Sequence, residues 1–203
     1  TVAPGSEGII NIEHEAGLSG NIHDKGLLIL EGYLRHRYAE DFPLSLYAGI
    51  CFEQSYASVD GDSASSAELY ALLSAIGRFP VRQDIAVTGS VNQMGELQPV
   101  GGINEKIQGF YNACEACHLT GTQGVIIPYQ NKTSLILPYK IEEALEKGMF
   151  HIWTISSIDE GLELLSGLKT GERDRKGNYT PGSFNRLIDD ELRTLCRVSQ
   201  SFK

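Results

Sequence analysis

The sequence lacks the features that define several large protein classes. No apolar run approaches the roughly 18 residues that a membrane-spanning helix needs, and residues 1–10 contain no basic segment followed by an apolar one, as a secretory signal would. The four cysteines are too few and too unevenly spaced to predict a disulfide framework in 203 residues. Lysine and arginine total 17 against 26 acidic residues, and the resulting net charge of −9 argues against nucleic-acid binding. We therefore expect a soluble protein of a reducing, cytoplasmic compartment.

Several ligand-binding and catalytic motifs are also absent. The chain has no Gly-x-x-x-x-Gly-Lys-Ser/Thr phosphate loop, no Gly-x-Gly-x-x-Gly after a strand and no Gly-x-Ser-x-Gly elbow. The five histidines are scattered and none is paired at the i, i+4 spacing of a helical metal site. We expect His14, which Glu13 and Glu15 flank, at a solvated surface or strand edge. The sequence thus predicts no metal and no cofactor in this chain.

The segments that are present alternate between strand-like and helix-like patterns. Hydrophobic residues make up 41% of the chain, enough for a large core, and the alternation predicts an α/β domain with mixed sheets and packed helices. The predicted strands cover residues 8–12, 46–53, 84–88, 124–128 and 151–155. The predicted helices cover residues 26–39, 63–77, 103–117, 141–147 and 158–165, and the second of these directs Ala67, Tyr70, Leu73, Ala75 and Ile76 inward.

The two ends of the chain differ from this pattern. Residues 169–183 are rich in Gly, Lys, Arg, Asp and Pro, and residues 184–202 predict a last helix with Leu187, Ile188, Leu192 and Leu195 on its apolar face. We therefore divide the chain into a domain at residues 1–168 and a polar linker with a helical tail at residues 169–203. Since the chain opens on Thr1 without a methionine, we expect a piece of a longer protein or a processed product.

The segment Cys114-Glu115-Ala116-Cys117-His118 matches the signature of c-type haem attachment. Its context favours another interpretation, because Ile103, Ile107, Phe110, Cys114 and Cys117 follow one another at spacings of 3 and 4. Both thiols are therefore predicted on the apolar face of one helix, where cysteine acts as a small buried hydrophobe. Metal or redox use remains an alternative.

An acidic, glycine-containing turn, residues 60–62, leads into Ser63 at the start of a predicted helix. Serine and aspartate are preferred helix caps, so Asp62 or Ser65 could be present for that reason alone. The alternative is that the turn presents Ser63 as a nucleophile. This stretch by itself does not separate the two interpretations.

A second segment places Lys106 in the first turn of a helix that follows Gly101 and Gly102. A helix N-terminus carries partial positive charge and disfavours an ammonium group there. Together with burial, this would favour the neutral amine, which can act as a general base. The simpler interpretation is a solvated lysine.

Taken together, these two segments resemble the proteolytic, C-terminal domain of the Lon proteases. The resemblance extends over residues 8–165 and is densest at residues 60–65, 88–91 and 95–106. That family has its serine in an Asp-Gly-x-Ser-Ala turn and its lysine in a Gly-Gly-x-x-Glu-Lys segment. The separation here, 106 − 63 = 43 residues, is that of the family. The fold implied is the single Lon proteolytic domain, which is ribosomal-protein-S5-domain-2-like.

The resemblance assigns roles residue by residue. Ser63 matches the nucleophile and Lys106 the general base of a Ser–Lys dyad, and Thr88 matches a hydroxyl that helps to hold the lysine amine. Asp60 and Asp62 match acidic positions near the dyad in the archaeal-type branch. If Asp62 paired with Lys106 it would stabilise the ammonium form, so we also expect a latent state with that ion pair.

The same resemblance implies a reaction and an assembly. The reaction is ATP-dependent endoproteolysis of unfolded, misfolded or regulatory proteins through an acyl-enzyme, with oxyanion donors expected among the N–H groups from Gly61 to Ala64. The implied assembly is a homohexameric ring. ATP and Mg²⁺ are expected on an AAA+ module that lies N-terminal to this chain, and the chain alone is expected to cleave substrates poorly or not at all. The alternative function is a catalytically silent Lon-like scaffold, and the outlying one is a redox or haem protein.

Overall fold

The computed structural model describes residues 1–201 of the chain. The helices are α1 (Ile12–Glu15), α2 (Asn21–Tyr38), α3 (Ser65–Gly77), α4 (Ile103–Ala116), α5 (Tyr139–Glu146), α6 (Ile158–Ser166) and α7 (Phe184–Ser201), with a short 3₁₀ helix at Tyr129–Ser134. The strands are β1 (Val2–Pro4), β2 (Gly8–Asn11), β3 (Leu46–Ile50), β4 (Ile85–Val87), β5 (Ser90–Val91), β6 (Leu97–Gln98), β7 (Gly124–Pro128) and β8 (His151–Ile155). The α/β class predicted from the alternation of segments is confirmed.

The strands form two separate three-stranded sheets and one hairpin. The first sheet has the order β1-β3-β2, with β1 antiparallel and β2 parallel to β3. The second has the order β4-β7-β8 and is parallel throughout. Every residue of its central strand β7 is buried, as expected for a parallel strand that is covered on both faces. Strands β5 and β6 pair as the antiparallel hairpin.

Two hydrophobic clusters stabilise this arrangement. The larger one joins the first sheet to α2, α3, α6 and α7 and includes the fully buried Leu34, Leu73 and Ile188. The smaller one packs α4 and α5 on the second sheet around Ile107 and Phe150. Helices α3 and α4 thus belong to different clusters, and their N-terminal ends carry the two segments singled out above.

Several boundaries and burial predictions were wrong in instructive ways. Helix α2 begins at Asn21, five residues before the predicted start, and β1 and α1 were not predicted. Ala75, predicted inward, is exposed. Cys114 is buried as predicted, but Cys117 is exposed, because α4 ends at Ala116 and the chain turns away from the core at the next residues.

The C-terminal segment packs onto the rest of the chain. Phe184, Ile188 and Leu192 on α7 are at most 2% exposed and belong to the larger cluster, whereas Leu187 is 37% exposed. The Tyr38 hydroxyl donates a hydrogen bond to Asn185 Oδ1 at 2.6 Å. The boundary at residue 168 stays a prediction, and the end of the predicted last helix, residue 202, lies outside the described residues. No helix within residues 1–201 has the length and apolar character needed to cross a bilayer.

Candidate active site

The turn that carries Ser63 does not use its polar side chains to cap α3. The N-cap residue is Ala64, and no side chain makes a capping hydrogen bond there. The Ser65 hydroxyl instead accepts a hydrogen bond from Val91 N at 3.1 Å. Capping by Asp62 or Ser65 was therefore a wrong explanation of this segment, and the turn at Ser63 needs another reason.

The chain that follows β4 fixes the position of Ser63. The Ser63 carbonyl oxygen accepts hydrogen bonds from Gly89 N at 2.9 Å and from Thr88 Oγ1 at 3.2 Å. Ser66 N in turn donates to the Gly89 carbonyl at 3.1 Å. Because β4 is held in the second sheet, these bonds attach the turn that carries Ser63 to the edge of that sheet.

Two features position Lys106 in the first turn of α4. They are the glycine at the N-cap of the helix and an asparagine that bonds to the backbone just before it. The backbone of Gly102 has φ = +65°, a region that favours glycine, and its carbonyl accepts from Lys106 N at 3.0 Å. Asn131 holds Val100, two residues before Gly102, by two hydrogen bonds, accepting from Val100 N at 3.0 Å and donating to Val100 O at 2.9 Å. The start of α4 is thus fixed against the second sheet.

The three polar side chains meet in one cavity. Lys106 Nζ donates a hydrogen bond to Thr88 Oγ1 at 3.4 Å, and both side chains face the cavity with Ser63. The cavity measures about 390 Å³. Its remaining lining is apolar and consists of Phe52, Ala64, Ala67, Ala86, Val87 and Val125.

A larger cavity of about 740 Å³ lies apart from this site, between α2, α6 and the segment after residue 168. Its lining mixes charges of both signs, including Arg37, Asp159, Glu163 and Arg173. The Arg37–Asp159 ion pair at 2.8 Å already joins two of them. The smaller cavity is the one that brings a serine hydroxyl and a lysine amine together.

Ser63 and Lys106 face one cavity without a hydrogen bond between them. Within residues 1–201 no hydrogen bond joins Ser63 Oγ to Lys106 Nζ, and Lys106 lies at an exposed position of the single chain. Catalytic hydrogen bonds are often long in unliganded sites and shorten when substrate binds. The structure thus places the side chains of Ser63 and Lys106 in one cavity, without a hydrogen bond between them.

Backbone donors are available beside Ser63, but fewer than expected. Gly61 N donates to Asp60 Oδ1 at 2.8 Å and is therefore occupied. The N–H groups of Asp62, Ser63 and Ala64 donate to no acceptor in the described part of the chain. These three groups are the candidate oxyanion donors.

The two aspartates lie outside the cavity lining. Asp60 Oδ1 accepts from Ile22 N and His23 N, both at 3.2 Å, and so caps α2. These backbone hydrogen bonds, with that from Gly61, lower the pKa of Asp60. Gly20 makes this possible, because a Cβ there would lie 2.3 Å from the Asp60 carboxyl carbon.

Asp62 is held by a neighbour other than Lys106. Ser90 Oγ donates to Asp62 Oδ2 at 2.8 Å, and the ion pairs found within residues 1–201 include none between Asp62 and Lys106. The expected latent pair is therefore absent from this structure. Gly61, with φ = +92°, serves the turn geometry rather than the cavity.

Two features of the site were not predicted from the sequence. They are its apolar wall and the burial of Glu13, His23 and Glu68 near it. Phe52 lies just beyond β3, and nothing in its local pattern indicates a cavity. The burial of Glu68, which is 6% exposed, could have been found, because residues 65, 68, 69 and 72 form one helical face that is otherwise uncharged. The described His, Cys, Asp and Glu side chains include no group of three arranged to hold a metal ion.

Comparison with known proteins decides the family. A family model described as the Lon protease C-terminal proteolytic domain matches residues 52–166, a range that contains Ser63, Thr88 and Lys106. The chain belongs to the Lon protease family. This Lon proteolytic domain is 49% identical over 158 residues to a Lon protease homolog of Escherichia coli, with 78% of this chain and 27% of that protein covered.

Two further relatives show the same relationship. A Lon protease homolog of Haemophilus influenzae is 39% identical over 184 residues, which cover 91% of this chain and 31% of that protein. An archaeal Lon protease of Pyrococcus abyssi is 37% identical over 149 residues, which cover 73% of this chain and 14% of that protein. The chain thus spans about a third or less of the length of these relatives.

Proposed function

We propose that this Lon proteolytic domain is a serine endopeptidase in which Ser63 is the nucleophile and Lys106 the general base. The observation that carries the proposal is the single cavity shared by Ser63, Thr88 and Lys106, with Lys106 Nζ 3.4 Å from Thr88 Oγ1. A serine hydroxyl is a weak nucleophile until a base accepts its proton. Lys106 is the basic side chain in that cavity.

The reaction then proceeds in two halves. Lys106 Nζ accepts the Ser63 hydroxyl proton while Ser63 Oγ bonds to the peptide carbonyl carbon, whose oxygen takes up the negative charge. The ammonium of Lys106 protonates the leaving amine as the peptide bond breaks, which leaves an acyl group on Ser63. Water, deprotonated by Lys106, hydrolyses this ester and restores both side chains.

The backbone near Ser63 supplies the charge stabilisation. The N–H groups of Asp62, Ser63 and Ala64, which have no acceptor in the described chain, are suited to bind the oxyanion. Such a donor contributes on the order of 3 kcal/mol to the stabilisation of the transition state. Thr88 has a different role: its hydroxyl accepts a hydrogen bond from the Lys106 amine and orients it.

Lys106 is exposed in the single chain, and a general base must be in its neutral form. Water must therefore be excluded from its amine when substrate binds. A bound substrate covering the cavity, or a neighbouring subunit of a hexameric ring, would desolvate Lys106 and favour the form that can accept a proton. In this proposal the ring encloses the sites and an AAA+ module in the same longer protein supplies unfolded chains at the expense of ATP. The apolar lining by Phe52, Ala67 and Val125 suits an apolar substrate side chain.

The test is hydrolysis of an unstructured fluorogenic peptide by the wild type and by Ser63→Ala and Lys106→Ala variants, with prolonged incubation. We expect both variants to lose at least about a hundredfold in kcat, since each removes one partner of a proton transfer. Ser6→Ala and Lys25→Ala, at exposed positions outside the cavity, serve as matched controls. Equal rates in all five proteins would leave the silent scaffold as the function.

A further inference from the structure

Three ionisable side chains that the proposed reaction does not use are buried together behind the site. Glu13 on α1, His23 on α2 and Glu68 on α3 are 4%, 2% and 6% exposed. His23 Nε2 and Glu68 Oε1 are 3.6 Å apart, which is longer than a hydrogen bond. We refer to these three residues as the buried acid–histidine cluster.

Each side chain of the cluster has a buried polar atom that makes no hydrogen bond. Glu13 Oε2, His23 Nε2 and Glu68 Oε1 are all buried without a hydrogen-bond partner among the described residues. An unpaired charge in such a place is costly, and buried carboxyl groups respond by holding a proton. Burial first, and the carboxylate of Glu13 second, raise the pKa of Glu68 to about 7.

Glu13 links the cluster to a segment that borders the cavity of Ser63 and Lys106. Glu13 Oε1 accepts from Phe52 N at 2.7 Å, and the Phe52 ring, which lines the cavity, lies 6.0 Å from the His23 ring. Glu68 lies one helical turn after the cavity residue Ala64, to whose carbonyl its backbone N donates at 3.0 Å whatever the charge of its side chain. A change of charge inside the cluster therefore acts on the Phe52 wall of the cavity.

The surrounding charges do not neutralise the cluster. The ionisable groups near it include Asp24 with its partner His14, Cys51, Glu53 and Asp60, and Lys106 faces the cavity that Phe52 lines. Among the ion pairs within residues 1–201, none joins a lysine or arginine to Glu13 or Glu68. Loss of the Glu68 proton places two carboxylates together, and the repulsion acts on Glu13 and on the Phe52 segment bonded to it.

We propose that Glu68 of this cluster holds a proton on which the position of Phe52 depends through Glu13, so that substrate affinity depends on whether Glu68 holds it. Glu68 is in this respect a positioning residue and touches no substrate. The role of the cluster in affinity rests on the proposed peptidase function, whereas the existence of the proton on Glu68 does not. The two parts can therefore be tested separately.

The first experiment measures kcat and KM for an apolar fluorogenic peptide between about pH 5.5 and pH 8.5. We expect KM of the wild type to rise at least about threefold as pH passes through the titration of Glu68 near 7. Glu68→Gln should keep KM constant within about twofold, because it cannot ionise. Glu13→Gln retains the acceptor for Phe52 N but removes the repelling charge, so the rise in KM should become smaller and its midpoint should move to lower pH.

Glu146→Gln, at an exposed position on α5, is the matched control and should follow the wild type. A purely structural role would change KM without moving its pH midpoint. If Glu68→Gln retains the rise in KM of the wild type, the positioning role is overturned.

The second experiment needs no peptidase activity. Carbon NMR of glutamate carboxyl groups in the Ser63→Ala protein should show one resonance that titrates near 7 and is missing when Glu68→Gln is added. The Phe52 ring resonances should shift with the same midpoint. If the Ser63→Ala protein cleaves peptide as fast as the wild type while these titrations are observed, the peptidase proposal fails and the proton on Glu68 stands; a Glu68 resonance that titrates at its ordinary value overturns the cluster.

Discussion

The Lys106 amine donates a hydrogen bond to the Thr88 hydroxyl at 3.4 Å, and the same hydroxyl is 3.2 Å from the carbonyl oxygen of Ser63. Thr88 therefore connects the two ends of the proposed dyad without being part of it. Its backbone N also donates to Ile126 O at 3.1 Å, so the connection is anchored in the second sheet.

We expect Thr88→Val to lower kcat by about fivefold and to change KM little, because the lost hydrogen bond orients the base, and such a bond is worth about 1 kcal/mol. Thr88→Ser keeps the hydroxyl and should restore most of the activity. Steady-state peptide hydrolysis measures both. Full activity in Thr88→Val together with a loss in Thr88→Ser would show that packing of the Thr88 methyl group matters and the hydroxyl does not.

Asp62→Asn should leave peptide hydrolysis within about twofold of the wild type, since Asp62 bonds to Ser90 and not to Lys106 in this structure. Asparagine retains an oxygen that can accept the Ser90 hydrogen bond. A marked activation of the variant would instead reveal that a latent Asp62–Lys106 pair forms in solution.

Asp60→Ala should lower the thermal midpoint, because two N–H groups at the start of α2 lose their acceptor. The lowered pKa of Asp60 makes this contribution present above the ordinary aspartate pKa and lost as pH falls through the folded-state value. Midpoints of both proteins measured by circular dichroism should thus converge in acid. A constant difference down to the lowest pH would contradict the capping role.

Glu68→Gln should stabilise the folded chain at alkaline pH. In the folded state Glu68 has a pKa of about 7, so between its ordinary value and 7 the folded chain holds a proton that the unfolded chain has released. Stability therefore decreases as pH rises through this range and remains low above it. We expect the variant to gain on the order of 2–3 kcal/mol near pH 8 and nothing near pH 4, as measured by urea denaturation; a pH-independent difference would refute the titration.

Phe184→Ala should destabilise the chain by about 3–5 kcal/mol, the cost of removing a large buried aromatic side chain. Phe184 is 0% exposed within the larger hydrophobic cluster. Leu187→Ala, on the exposed side of the same helix, is the control and should cost less than about 1 kcal/mol. Similar small effects for both would show that residues 169–203 are a separate tail, as the sequence predicted.

The sequence predicted well where a pattern is local. The strands at residues 124–128 and 151–155 have the predicted bounds, because β-branched runs between turn residues allow little else. It predicted poorly where burial comes from distant segments. Tyr179, in the stretch interpreted as a polar linker, is 4% exposed because it packs against α2, some 140 residues earlier in the chain.

By itself the sequence determined the α/β class, the family resemblance and the residues of the proposed dyad, because these depend on periodicity and on short motifs of fixed spacing. Only the tertiary structure decided that Asp60 caps α2, that Asp62 bonds to Ser90 and that Glu13, His23 and Glu68 are buried together. Hydrogen bonds and desolvation depend on which groups meet in space, and a carboxylate has the same appearance in the sequence whether it faces water, a helix end or another acid.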